Sequence, residues 1–264
     1  MNAAHTQEIS LWQLSIALTL VLVPALCSAL LHLGLGKKIL VGAVRLSAQL
    51  FAVGFVLTWI FAIEHPGAVA LMVTWMVAAA GVTAVGRSET RYRGIYLDAL
   101  LAVAVSSLTI VTIGTAAVVQ NTPWWAPRYL IPILGMILGN SMTGISLGLG
   151  TWLENVRERK DRIESMLALG ATRWEASREG ITEALRRALT PTLNIMAAAG
   201  IVSLPGMMTG QILAGNAPGL AVRYQIAIIF FIAAATAIGS LLAVLLAYRR
   251  LFDHWHRLRL DRLK

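Results

Sequence analysis

The chain has 264 residues, 57% of them hydrophobic and 13% charged. A soluble domain carries about a quarter charged residues, so this composition excludes a water-soluble globular protein and leaves an integral membrane one. The net charge of +9 does not call for nucleic acid, because cytoplasmic loops carry just such an excess, and the lone Cys27 excludes an intrachain disulfide or thiolate cluster.

Apolar blocks recur at 9–33, 39–62, 66–86, 95–119, 129–150, 191–213 and 222–248. Each meets the ~20 residues that a bilayer core requires. The expected fold is all-α and integral to the membrane: one polytopic domain over 1–264, with about seven transmembrane helices and a cytosolic helix pair within about 151–190. The first block is too long for the core of a cleaved signal peptide, and its N-terminal flank has no Lys or Arg. It is expected to span and stay. If the N-terminus lies outside, every Lys and Arg except Arg45, Arg128 and Arg223 falls in an inside loop or the tail. The positive-inside rule therefore predicts an outside N-terminus and a cytosolic C-terminus.

In the second block Arg45 and Gln49 are spaced i, i+4 and share a face. Arg45 is either long enough to snorkel to the headgroups or turned with Gln49 into the bundle, as functional intramembrane charges are. Asp98, at the start of the fourth block and close to Arg91 and Arg93, reads as an interfacial ion-pair partner. Trp124 and Trp125 in the next outside loop suit an interfacial aromatic belt. The fifth block holds two small-xxx-small pairs, Gly135 with Gly139 and Gly144 with Gly148, which let helices approach closely. Asn140, in the middle of that block, needs a partner or a water-filled path.

Residues 154–190 form the longest stretch without an apolar block. Ile163, Met166, Leu167 and Gly170 fall at i, i+3, i+4, i+7 on one helical face, and Gly170 can close that helix in the left-handed conformation. Thr172 with Glu175 spells a capping box. Trp174, Ile181 and Leu185 continue an apolar face on a second helix, and Thr190 and Pro191 look like the N-cap and first residue of a membrane helix. Basic and acidic residues nearly balance here, with pairs such as Glu158–Arg162 and Glu183–Arg187. A DNA-reading helix pair is basic on one face, so the better reading is a docking surface for a cytosolic protein.

In the sixth block Pro205 and Gly206 interrupt the helix, a feature tolerated in membranes where backbone lines a cavity or packs on protein. Met207, Met208, Thr209 and Gln211 follow directly. Thioether sulfurs suit soft metals, and amide and hydroxyl oxygens harder ones; lipid-facing packing is the alternative role for the methionines. In the tail, Leu251, Phe252, Trp255 and Leu258 predict an amphipathic helix on the inner leaflet, with His254 and His256 at its rim. The run GLGKK at 34–38 lacks the spacing of a phosphate-binding loop. With no nucleophile–base pair in sight, the chain is expected to be no enzyme and to bind no cofactor.

Residues 203–215 read SLPGMMTGQILAG, followed by Pro218 and by AVRYQI at 221–226. Together with Arg45, Gln49 and Leu50, with Pro132, Gly135, Met136, Gly139 and Asn140, and with LALGAT at 167–172, this stretch resembles the FetB-like iron-export ABC permease family. Plant relatives of that family are linked to aluminium tolerance. The resemblance runs over essentially the whole chain. It implies a permease of the cell inner membrane that forms a homodimer and binds a separate cytosolic ATPase, which uses the ATP and Mg. Glu164 and Gly170, six apart, match the coupling motif by which ABC importers dock on their ATPase, but the Ile-x-Leu-Pro of importers is absent. ATPase coupling is thereby assigned to Glu164, Leu167, Gly170, Thr172 and Trp174. The substrate path is assigned to Arg45, Gln49, Asn140, Pro205, Gly206, Thr209 and Gln211, with Met207 and Met208 as metal ligands. Two alternatives stay open: a permease for an organic solute such as a nucleotide-sugar, and a regulatory membrane subunit that transports nothing.

Overall fold

The computed structural model describes residues 10–86, 90–253, 255 and 257–263; His254 and His256 lie outside them. The protein is all-α. Ten helices are found among the described residues: α1 Leu11–Thr19, α2 Leu22–Leu30, α3 Gly36–Ile63, α4 Pro66–Gly86, α5 Ile95–Ile113, α6 Pro127–Glu158, α7 Lys160–Ala168, α8 Arg173–Ala198, α9 Gly206–Leu213 and α10 Pro218–Leu251. A π-helical turn, Gly114–Val119, extends α5. Among the described residues, six segments are long and apolar enough to cross a membrane: Trp12–Leu30, Gly36–Ile63, Pro66–Gly86, Ile95–Val119, Pro127–Glu158 and Pro218–Leu251.

The chain divides into two compact units, the first holding α1 to α3 with Leu213–Gly215, the second holding the rest. In the first unit, α1 and α2 form one apolar rod bent at Leu20 and Val21. Pro24 causes the bend, since it cannot donate to the Leu20 carbonyl four residues back. That carbonyl accepts instead from the N–H of Val23 at 3.2 Å. The following turn is pinned by the buried Ser28, whose hydroxyl accepts from the N–H of Leu35 at 2.9 Å. Most apolar side chains of this unit are exposed, Phe55 on α3 at 79%.

The second unit has a true core. α10 packs along α6, α5 and α8, and α6 also lies against α8 and α4. Small residues permit this closeness. A Cβ on Gly144 would collide with the Thr236 methyl of α10 and stand 3.1 Å from the Ala188 carbonyl oxygen of α8. Gly148 likewise faces Ala188, at 3.3 Å. The other expected pair does not behave this way, since Gly139 has nothing within 4 Å.

A buried polar knot ties the start of α5 to the end of α10. Asp98, in the first turn of α5 and 2% exposed, takes Arg250 of α10 bidentately at 2.7 and 2.8 Å and accepts from the Tyr92 hydroxyl at 2.9 Å. Asp98 is thus an ion-pair partner, as its position suggested, but of Arg250 rather than of Arg91 or Arg93.

Two local expectations are corrected. The sixth apolar block is not one helix. α8 continues through Pro191, whose missing N–H orphans only the carbonyl of Arg187, an exposed residue; Thr190 sits inside the helix and donates to the Arg186 carbonyl. The break comes at Ala199 and Gly200, the latter at φ +83°, ahead of Pro205 and Gly206. There the Ala198 carbonyl accepts from Ile201, Val202 and Ser203, and Gly200 donates to Ser203 at 2.9 Å. The tail also departs from the expected amphipathic helix. The Asp253 carboxylate accepts from the N–H groups of Trp255 and Arg257 at 2.9 and 2.8 Å, a local capture that competes with helix. The chain turns back, Phe252 bridging Leu258 and Tyr92 bridging Leu263.

Candidate functional site

The corner of α6, α7 and α8 is built by local signals. Arg159 is at once the C-cap of α6 and the N-cap of α7, so a single residue turns the chain. α7 ends in a Schellman motif: Ala171 donates to the Met166 carbonyl and Gly170 to that of Leu167, both at 3.0 Å. Gly170 sits at φ +94°, where a residue with a Cβ is strained. The predicted capping box opens α8. The Thr172 hydroxyl accepts from the Glu175 N–H at 3.2 Å, and the Glu175 carboxylate accepts from the Thr172 N–H at 2.7 Å. The Thr172 hydroxyl also donates to that carboxylate at 2.8 Å, and the two bonds from Thr172 to the carboxylate, backbone first and hydroxyl second, hold the Glu175 carboxyl below its usual range.

Charge pairs lock α7 onto α8. Arg159 bridges Glu179 and Glu183 at 3.2 and 3.1 Å, and Arg162 reaches Glu179 at 2.7 Å. Glu183 with Arg187 forms as expected, whereas Arg162 turns to α8 rather than to Glu158. Ile163 of α7 and Ile181 of α8 are buried, and Leu167 is half-buried. Trp174 leans edge-on against Tyr248 of α10, ring centroids 5.9 Å apart, and Tyr248 in turn touches Trp152 of α6 at 6.4 Å and Phe252 at 5.4 Å. The Arg173 guanidinium lies 5.8 Å from the centre of the Tyr248 ring. The apolar face of the corner therefore finds much of its packing within the chain. What remains outward is the tip: Glu164, with no ion pair among the described residues, Gly170, Thr172, and Leu169 at 88% exposure. The sequence reading missed Leu169. Its signal was phase, because it falls off the face set by Ile163, Met166 and Leu167.

The residues assigned to a path are only partly brought together. Arg45 and Gln49 are exposed on α3, in the first unit. In the second unit, the half-buried Asn140 spends its amide N–H on its own helix, donating to the Met136 carbonyl at 2.8 Å. Pro205 leads into α9, its carbonyl accepting from the N–H and the hydroxyl of Thr209 at 3.1 and 3.2 Å. Gly206 opens α9 and is exposed; Met207, Met208, Thr209 and Gln211 follow on that helix, all half-buried. The Gln211 side-chain carbonyl oxygen is sealed from solvent and has no hydrogen-bond partner among the described residues. These residues carry two thioethers, a hydroxyl and an orphan amide oxygen, but on one helix successive side chains point about 100° apart, so the four do not share one face. Among the described residues, no group of three or more His, Cys, Asp or Glu is placed to hold a metal ion.

The model of a family described as "Uncharacterised protein family (UPF0014)" matches residues 11–252. A UPF0014 membrane protein of Bacillus subtilis, YjkA, is 36% identical over 90% of this chain and 94% of its own. The probable iron export permease protein FetB of Escherichia coli is 33% identical over 98% of this chain and 99% of its own. The protein ALUMINUM SENSITIVE 3 of Arabidopsis thaliana is 33% identical over 92% of this chain and 87% of its own. No solved structure matches the chain significantly.

Proposed function

The chain belongs to the UPF0014 family of membrane proteins, and from that premise we propose that it is the permease subunit of an ABC exporter for iron or a related metal. The observation that carries the proposal is the end-to-end similarity to a protein named a probable iron export permease. In this reading the permease works as a homodimer in the cell inner membrane and binds no cofactor. A separate cytosolic ATPase hydrolyses ATP with Mg and docks on the exposed tip of the α7–α8 corner through Glu164, Leu167, Gly170, Thr172 and Trp174.

The reading includes seven crossings, an outside N-terminus and a cytosolic C-terminus. Support for the odd count comes from Asp98–Arg250, which joins the start of α5 to the end of α10. Trp174 and Arg173, at the start of α8, meet Tyr248 near that same end of α10. If α5 begins on the cytosolic side, α10 ends there and begins outside, so the chain must cross between the corner and Pro218. Late α8, the break at Ala199 and α9 would together make that crossing, with Met207, Met208, Thr209 and Gln211 near its interruption. Broken crossings of this kind occur where backbone is sheltered by protein or lines a cavity.

The test couples docking to transport. The permease and its ATPase are co-purified and metal efflux is followed in vesicles, with Glu164→Lys and Gly170→Val as variants. Both variants should insert normally yet lose ATPase retention and efflux. Unchanged retention and efflux in both would remove the docking assignment. ATPase stimulation without metal movement would point to the regulatory alternative.

A further inference from the structure

Where α5 begins and α10 ends, four guanidinium groups line one cleft: Arg93, Arg250, Arg259 and Arg262, with Leu97 and Asp261 among its walls. Two of the four are already neutralised. Arg250 is taken by Asp98, and Arg259 grips Asp261 through two bonds of 2.9 Å. Arg262 donates to the backbone carbonyl of Arg250. Like Arg93, it has no carboxylate partner among the described residues. The cleft, about 880 Å³ in volume, therefore faces a surplus of two positive charges.

The folded-back tail builds the site. Arg259 donates its N–H to the Leu251 carbonyl at 2.8 Å, and Tyr92 bridges Leu263, which holds the tail arginines against the start of α5. Because α5 and α10 are both long and apolar enough to cross the bilayer, the cleft lies at a membrane boundary. Leu97, in the first turn of α5, is 53% exposed and offers apolar surface beside the charges.

We propose that this cleft is a phosphate site filled by the headgroup of an anionic phospholipid. The planar fork of a guanidinium matches phosphate oxygens bidentately, and basic pockets between transmembrane helices bind anionic headgroups. Arg93 and Arg262 hold the phosphate, and Leu97 lies along the first carbons of an acyl chain. A dissolved phosphate would use the arginines but not the leucine. The proposal goes beyond the transport reading and does not depend on it.

The test is native mass spectrometry of the full-length protein in detergent, titrated with phosphatidylglycerol, phosphatidylcholine or inorganic phosphate. Phosphatidylglycerol should be retained over phosphatidylcholine. Replacing Arg93 and Arg262 together by Gln should lower that retention about tenfold or more. A control pair, Arg249→Gln with Arg257→Gln, removes the same charge from the same end of α10 but outside the cleft, and should change retention less than twofold. Equal loss in both pairs would mean diffuse attraction and overturn the site. Leu97→Ser leaves every charge in place and keeps the test decisive if the double Gln variant misfolds. It should weaken phosphatidylglycerol several-fold, and an unchanged value would overturn the lipid assignment. Inorganic phosphate bound through Arg93 and Arg262, with no preference among lipids, would do the same.

Discussion

At the scale of single residues, the most consequential group is Asp98. A carboxylate 2% exposed is tolerable only because a bidentate guanidinium and a phenol satisfy it. Asp98→Ala would leave Arg250 without its counter-charge and should cost about 2–3 kcal/mol, below the full range for a buried pair because Arg250 is 42% exposed. Thermal melting in detergent would measure it. Tyr92→Phe removes one hydrogen bond and should cost about 1 kcal/mol. Burial first, and the Asp98 carboxylate second, push the Tyr92 hydroxyl well above its ordinary value of 10. The folded state thus holds this proton more tightly than the unfolded one. Its contribution is complete below pH 10 and is lost as pH rises toward the folded value. The melting temperature should therefore fall more steeply above pH 10 in the parent protein than in Tyr92→Phe; identical slopes would show that Tyr92 ionises freely. The sequence announced that Asp98 needed a cation. It did not announce which, because Arg250 is 152 residues away and nearer arginines competed on distance alone.

Among elements, the corner and the broken helix show what local chemistry can and cannot disclose. The corner was readable almost to the residue, because the Gly170 terminator and the Thr172–Glu175 box act within three or four positions. Thr172→Ala should cost about 1 kcal/mol through the lost cap. Gly170→Val forces a β-branched residue to φ +94° and should cost more, roughly 1–3 kcal/mol. Limited proteolysis would find both variants cut sooner between α7 and α8 than the parent. The interruption near residue 200 was placed wrongly, because Pro191 and Pro205 are conspicuous and Gly200 is not. A proline inside a helix can orphan one exposed carbonyl and leave the helix intact, while an unremarkable glycine at positive φ can end it. The helix contacts of α6 were half-legible for a related reason. A small-xxx-small pattern says that close approach is possible, not which pair uses it. Gly144→Ala should destabilise the α6–α10 seam by about 1–3 kcal/mol, since its methyl meets the Thr236 side chain. Gly139→Ala, facing open space, should be neutral or slightly stabilising in the same melting assay.

For the whole molecule, membrane residence was legible from composition alone, while the number of crossings was not, since one apolar block is spread over two helices and a turn. Single-cysteine probes at Ala3 and Leu263 in a Cys27→Ser background would decide the matter: labelling from opposite sides fits seven crossings, labelling from one side six. The first unit could not be foreseen as a surface. Its helices carry apolar residues on nearly every side, as a membrane segment does whether it meets lipid or protein. α6 has a further consequence. Its 32 residues form one uninterrupted rod of about 48 Å at 1.5 Å per residue, from Pro127 to the corner at Arg159. Trp152, near the corner end, is fully buried and touches Tyr248 of α10, so a push on the tip cannot be absorbed there by a loose side chain. Pivoting about one end by about five degrees would swing the other sideways by roughly 4 Å for a rod of this length. Over most of its path the rod has no soft joint, its internal proline, Pro132, lying near the far end. Geometrically, α6 is a lever: a tilt pivoted at the corner is delivered in full at its Pro127 end.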